Sequence, residues 1–328
     1  MSPGLAVDLG TARTLVVDSG GSTIVDEPTL AAIDITTGRL VAFGREAQGL
    51  TGCAAGEIGL VRPVRHGQLT DLELTHQVAR EILSRARHHR IYKPDVTCCV
   101  PASATSVQRR ALERSFKRAG ARDVSFLDQA VCAALGSRLR IDQPLASMVV
   151  DVGAGTSDMA VMALGGVVTE ASIEVGGGDF DDAIRALLRS SFDLSVPAEL
   201  AEQVKMVIGT AWPDEEKKVE VAGRDLGNGC ARTVTLSTSE VAGALFPHVE
   251  SIVAATVECI IQSPPDLAND LLSMGLYLAG GGSLLHGFAR RMATAAGIPI
   301  HLVHDPEVVT VRGAVVSMRR KHRRLAGS

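Results

Sequence analysis

The chain has 328 residues, 46% hydrophobic and 21% charged, enough for about two globular domains at roughly 150 residues each. That composition excludes disorder, a collagen repeat and a coiled coil. The 37 acidic and 33 basic residues leave a formal charge of −4, so the overall charge carries no footprint for nucleic acid, and an anionic membrane would have to be met by a local patch.

Residues 5–8 read as a strand, followed by a Gly/Thr turn, a second strand over 14–18 and a turn at Gly20-Gly21, the pattern of a β-hairpin. Helical periodicity over 71–87 leads to a strand at 96–100, a helix at 106–119, a strand at 124–127 and a helix at 127–137. At 147–151 a Val-rich strand restarts the opening pattern, with a small-residue turn at 153–156, a strand over 159–163, a Gly165-Gly166 turn and a strand over 167–173. This repeat implies two similar halves. A helix over 179–191 follows, and then a polar stretch over 212–235 carrying Asp214, Glu215, Glu216, Lys217 and Lys218, which reads as a solvated surface. A helix over 239–262, stopped by Pro264-Pro265, precedes strands at 275–278 and 300–303, and the tail from Arg319 to Arg324 is basic. Strands alternating with helices argue an α/β architecture.

The cysteines Cys53, Cys98, Cys99, Cys132, Cys230 and Cys259 are scattered without metal-ligand spacing and read as small reduced hydrophobes. The start shows no basic segment leading into an apolar one, and no apolar run approaches the ~18 residues of a membrane span, so a cytoplasmic chain is expected.

Asp8-Leu9-Gly10-Thr11-Ala12 and Asp151-Val152-Gly153-Ala154-Gly155-Thr156 each place a carboxylate at a strand end, followed by residues small enough for backbone N–H groups to approach an anion. Two such hairpins facing one another would clamp a polyphosphate and hold Mg²⁺ through Asp8 and Asp151, with water between. Leu278-Ala279-Gly280-Gly281-Gly282-Ser283, a strand running into three glycines and then a helix, would let a base and sugar lie against bare backbone.

Together these segments resemble the actin, heat-shock chaperone and sugar kinase ATPase superfamily, and within it the MreB family of bacterial actin-like rod shape-determining proteins. Val61-Arg-Pro-Val-Arg, Gln108-Arg-Arg-Ala, Ala119-Gly-Ala-Arg, Gly176 to Asp179 and Ile208-Gly209 extend the resemblance over almost the whole chain. It implies an actin-like α/β fold of two similar domains, 1–138 with a smaller subdomain at about 29–66 and 139–328 with one at about 176–246. A C-terminal helix at about 306–322 would return to the first domain. It also implies ATP and Mg²⁺ in the cleft. Thr11, Ala12 and Arg13 then match the first phosphate loop, Gly153, Gly155 and Thr156 the second, Glu202 and Lys205 a helix lining the sugar and base, and Gly280, Gly281 and Gly282 the adenosine loop. Gln129 and Thr156 fall where the attacking water is positioned. The implied partners are further copies in a filament, cell-wall synthesis proteins and the inner face of the cell membrane; no nucleic acid is expected.

The chain departs from the family at three places. Arg13 stands where Asn is usual, and its guanidinium either reaches phosphate or turns away into a salt bridge. Asp128-Gln129-Ala130 replaces Glu-Glu-Pro, a step at which actin itself resembles this chain. An amide orients water but takes no proton, so hydrolysis is expected to be slow or lost. Lys205 is followed by Met206 and Val207 where the family is charged. The membrane expectation rests on Ile91 and Tyr92, an apolar pair among Arg87, Arg90 and Lys93. Two rival readings stay open on the same fold: a small-molecule kinase and a non-hydrolysing adaptor.

Overall fold

The computed structural model describes residues 4–51, 56–87 and 93–326. The expected tip residues Ile91 and Tyr92 lie outside them.

The first half opens with β1 (Gly4–Leu9), β2 (Arg13–Asp18) and β3 (Thr23–Pro28), an antiparallel meander. A small three-stranded sheet of β4 (Ala31–Asp34), β5 (Leu40–Phe43) and, after the short α1 (Arg45–Gln48), β6 (Ile58–Val61) stands beside it. The ribbon of β7 (Val64–Arg65) and β8 (Gln68–Leu69) leads into α2 (Leu72–Arg87). Then β9 (Asp95–Val100), α3 (Ser106–Ala119) and β10 (Asp123–Asp128) add two parallel strands, giving the order β10-β9-β1-β2-β3. Leu5, Val7, Val16, Val96 and Cys98 are buried in one core beneath α2 and α3.

The helix α4 (Gln129–Gly136) connects to the second half. There β11 (Ser147–Val152), β12 (Ser157–Ala163) and β13 (Gly166–Ile173) repeat the meander. Next come α5 (Gly177–Phe192), β14 (Leu194–Ser195), α6 (Ala198–Ile208), β15 (Lys218–Asp225), β16 (Ala231–Ser237), α7 (Thr238–Ile261) and α8 (Pro265–Met274). The parallel strands β17 (Leu276–Ala279) and β18 (Ile300–Leu302), with α9 (Phe288–Ala296) between them, complete the sheet β13-β12-β11-β17-β18. The helix α10 (Val309–Ala326) crosses back: Val311, Ala314, Val315 and Met318 pack with Ala6, Leu15 and Val17 of β1 and β2, and Arg319 donates to the Ser19 carbonyl at 2.8 Å.

Three sequence readings change here. The polar stretch 212–235 is not uniformly solvated, because β15 and β16 form a hairpin whose Val221 and Leu236 are fully buried against α6 and α7. The apolar residues alternate with period 2, and the surrounding charges masked that signal. The helix expected from residue 127 starts at Gln129, since Asp128 is still extended as the N-cap. The apolar α7 has the length and hydropathy of a membrane span. This departs from the expectation that no apolar run approaches that length, and one face of the helix, with Val241, Leu245, Val249 and Ile252, packs into the core of the second half.

Candidate functional site

Strands β1 and β11 run into turns closed in the same way. Gly10 N–H donates to the Arg13 carbonyl at 3.1 Å, and Gly153 N–H donates to the Thr156 carbonyl at 2.9 Å. The turns face each other at contact distance: a Cβ on Gly155 would overlap Thr11 Oγ1 and crowd the His66 backbone. Only glycine permits this approach. The second turn also joins α5, since its Gly153 and Ala154 carbonyls accept the N–H groups of Gly177 at 2.8 Å and Gly178 at 2.7 Å.

Behind the turns sit three carboxylates. Asp8 keeps part of its surface open to the cleft, but its Oδ1 is shut off from solvent without a hydrogen-bond partner. Burial raises its pKa to about 6 against the opposing hydrogen bond from Gln129. Burial likewise raises Asp151 to about 7, although the Thr310 hydroxyl donates to its Oδ2 at 2.7 Å. Asp158, the cross-strand partner of Asp151, is raised to about 6 by burial, with one oxygen accepting from Ala102 N–H at 2.9 Å and the other unpartnered. A low-dielectric pocket penalises such charge unless a cation enters.

A cavity of about 1020 Å³ lies over this floor, and every site residue nominated from the sequence lines it. Thr156 Oγ1 stands 3.5 Å from Gln129 Oε1, so the two residues nominated to handle water are neighbours. Arg13 takes the salt-bridge alternative, with Nε and Nη2 on Asp26 at 2.7 and 2.8 Å. Lys205 pairs with Asp181 at 2.8 Å and donates to the Gly177 carbonyl at 3.2 Å, so its ammonium is committed to α5. Glu202, one turn earlier on α6, is exposed at the rim, as are Met206 and Val207. The three glycines divide in role. At Gly280, with φ +79°, a side chain would overlap Asp151 and Val152, and at Gly282 it would overlap Val152, whereas at Gly281 it would meet just Glu307 at 3.6 Å. Two of them are therefore small because the turn packs on β11.

Sequence reasoning missed a third loop. Arg62 donates to the Thr11 carbonyl at 3.3 Å, Gly67 N–H to Thr11 Oγ1 at 3.2 Å, and His66 Nδ1 lies 3.3 Å from the Gly155 carbonyl. It also missed Asp158 and Thr310. The β11–β12 register would have found Asp158, but contacts spanning 159 residues, as from Thr310 to Asp151, leave no local trace.

A family model described as MreB/Mbl protein matches residues 2–325. The chain belongs to the MreB/Mbl family. It is 35% identical over 316 residues to the cell shape-determining protein MreB of Escherichia coli K12, covering 94% of this chain and 91% of that protein. To the cell shape-determining protein Mbl of Bacillus subtilis 168 it is 32% identical over 304 residues, covering 92% and 91%. Among solved structures, MreB5 of Spiroplasma citri bound to ADP superposes with a TM-score of 0.93 at 28% identity, covering 100% and 99% of the two chains. The same protein bound to AMPPNP gives 0.92 at 29%, with the same coverage. The fold is thus the actin-like fold of the MreB/Mbl family, and the cleft just described is the one between its two similar halves.

The floor of this MreB/Mbl cleft fits a magnesium ion accompanying phosphate. Among the described residues no three acidic, His or Cys side chains converge to hold a metal unaided. Magnesium is ordinarily held by one or two carboxylates, waters and substrate phosphates. Asp8 and Asp151, with an orphaned buried oxygen on Asp8, supply that kind of partial site.

Proposed function

We propose that this chain binds ATP with Mg²⁺ in the cleft, between domains at 1–138 and 139–328, and polymerises into filaments that organise cell-wall synthesis at the inner membrane face. The observation that carries the nucleotide reading is the contact of the two turns at Gly155 and Thr11, above Asp8 and Asp151. Nucleotide in the MreB5 neighbours supports the same reading. Backbone N–H groups of residues 11–13 and 154–156 would bind the phosphates, and Asp8 and Asp151 would hold the ion through water. When bound, Mg²⁺ neutralises phosphate charge. Glu202 and Gly281 would flank the sugar and base.

Gln129 and Thr156 would orient the attacking water, but neither accepts its proton as a carboxylate would. Turnover is therefore slow, and assembly follows nucleotide binding more than hydrolysis. Self-association and membrane contact through Ile91 and Tyr92 both rest on the sequence resemblance to the MreB family. Burying both side chains is worth roughly 2 to 4 kcal/mol at ~25 cal/mol per Å², too little for a monomer and sufficient for an array of tips.

Pelleting and phosphate release measured together, with and without anionic liposomes, test this. Mg-ATP should pellet the protein, liposomes should co-sediment with polymer alone, and Ile91→Ser with Tyr92→Ser should abolish co-sedimentation while sparing polymer. Absence of ATP-dependent pelleting would contradict the filament reading, and phosphate transfer to a sugar would favour a kinase.

A further inference from the structure

The Arg13 guanidinium does more than satisfy Asp26. Its two-pronged contact leaves Nη1 free, and that nitrogen reaches Glu307 Oε2 at 3.4 Å. Arg13 begins β2 directly after the first phosphate turn, and Asp26 lies on the neighbouring strand of the same sheet. Glu307 comes from the other half, 294 positions away, in the segment between β18 and α10. That segment is tied to the three-glycine turn, because Gly280 N–H donates to the Pro306 carbonyl at 3.0 Å. Glu307 itself lies over Gly281. The triad therefore runs from the first phosphate turn to the adenosine turn across the cavity, and all three side chains line it.

Two features oppose a phosphate-ligand role for Arg13. The Nε–Nη2 edge of its fork is already taken by Asp26, a bidentate arrangement that fixes a guanidinium in its plane. Moving it onto phosphate would strip Asp26 and Glu307 of their ion pairs with Arg13 beside an incoming polyanion. Breaking the single Glu307 contact costs far less. Side-chain exposures of 38% for Arg13, 40% for Asp26 and 56% for Glu307 put the triad in reach of solvent and salt.

We propose that Arg13 is a positioning residue, a strap anchored on Asp26 and latched on Glu307, which sets how fast the cleft opens and nucleotide leaves. The inference rests on the reading that the cleft binds ATP. An exposed ion pair is worth up to about 1 kcal/mol, so losing the latch should speed nucleotide release by about two- to five-fold. The effect should fade as the Debye length falls from ~10 Å at 0.1 M salt toward ~3 Å at 1 M.

The test compares wild type, Glu307→Gln, Arg13→Gln and the double variant by stopped-flow release of a fluorescent ATP analogue at low and high salt. Each single variant should release faster, the double variant no faster than either single, and high salt should level all four. A Glu307→Gln variant that holds the triphosphate more tightly, with Arg13→Gln weakening it, would overturn the strap and make Arg13 a phosphate ligand; additive effects would overturn it also. A second arm needs no nucleotide. Spin labels on the exposed Cys230 and on Val41→Cys, 54% exposed at that position, would report the gap between the two halves in a Cys53→Ser background. Glu307→Gln should widen that distance distribution, and an unchanged distribution overturns the strap even if the protein binds no nucleotide.

Discussion

The two Asp-Gly turns share a backbone and differ in what their side chains touch. Each closes a four-residue loop from a glycine N–H, Gly10 or Gly153, to a carbonyl three residues on, Arg13 or Thr156. From that equivalent fourth position the side chains diverge. Thr156 is buried and turns inward to Gln129, whereas Arg13 turns sideways to Asp26 and Glu307. Their carboxylates diverge as well, since Asp151 is held by Thr310 while Asp8 leaves an oxygen orphaned. One turn is built into its half through α5, and the other is clasped by the third loop through Arg62 and Gly67. On the proposed reading one turn serves the chemistry and the other the holding, and substitutions should separate the two roles.

The largest effect is expected where the turns meet. Gly155→Val would drive a branched side chain into Thr11 and His66, an overpacking of about 3 kcal/mol; the two turns relieve it by separating, which splits the paired donors and should cost roughly 100-fold in ATP affinity. In Gly10→Ala the new methyl would meet the turn's own Arg13 carbonyl at 3.0 Å and no part of the opposite half. Its loss should be nearer tenfold, or about 1.4 kcal/mol, by equilibrium titration with a fluorescent analogue. Equal losses would break the comparison.

Next comes turnover. Gln129→Glu supplies a proton acceptor beside Thr156 and should raise single-turnover phosphate release toward the lower end of the roughly 10²- to 10⁴-fold range of general-base assistance. The gain is limited because the new carboxylate would crowd Asp8. Unchanged release in a variant that still binds ATP would show that the inward side of the second turn does not limit hydrolysis.

A third effect concerns pH. Both folded-state pKa values lie above the ordinary 3.8, at about 6 for Asp8 and about 7 for Asp151. The folded protein therefore binds these protons more tightly than the unfolded chain. Stability from the two groups is full below about pH 3.8 and is lost as pH rises from there through each folded value. In nucleotide-free melts, Asp8→Asn should gain on wild type until about pH 6 and Asp151→Asn until about pH 7. Differences that stay flat from pH 4 to 8 would contradict the burial argument.

Much of this was legible in the chain. The Asp-Gly turn after a Val-rich strand announced itself twice, because strand, turn and carboxylate are local signals. The three glycines were equally visible, although Gly280 and Gly282 are glycine for packing on β11. The β15–β16 hairpin was hidden by the charges leading into it. Arg13 could not be aimed from sequence, because its partners lie 13 and 294 residues away and are chosen by the packing of two halves. The third loop was hidden for the same reason: His66 and Gly67 acquire meaning through Thr11 and Gly155, in turns far from them in the chain.

The central claim is that the two turns bind Mg-ATP, and thermal unfolding tests it most directly. A ligand at about 100 times its Kd stabilises the folded state by about 2.7 kcal/mol. Wild type should therefore melt progressively higher as Mg-ATP is raised into the millimolar range, and Asp8→Ala, which removes a carboxylate meant for the ion, should not respond. A wild-type melting temperature that does not move at millimolar Mg-ATP would contradict the account.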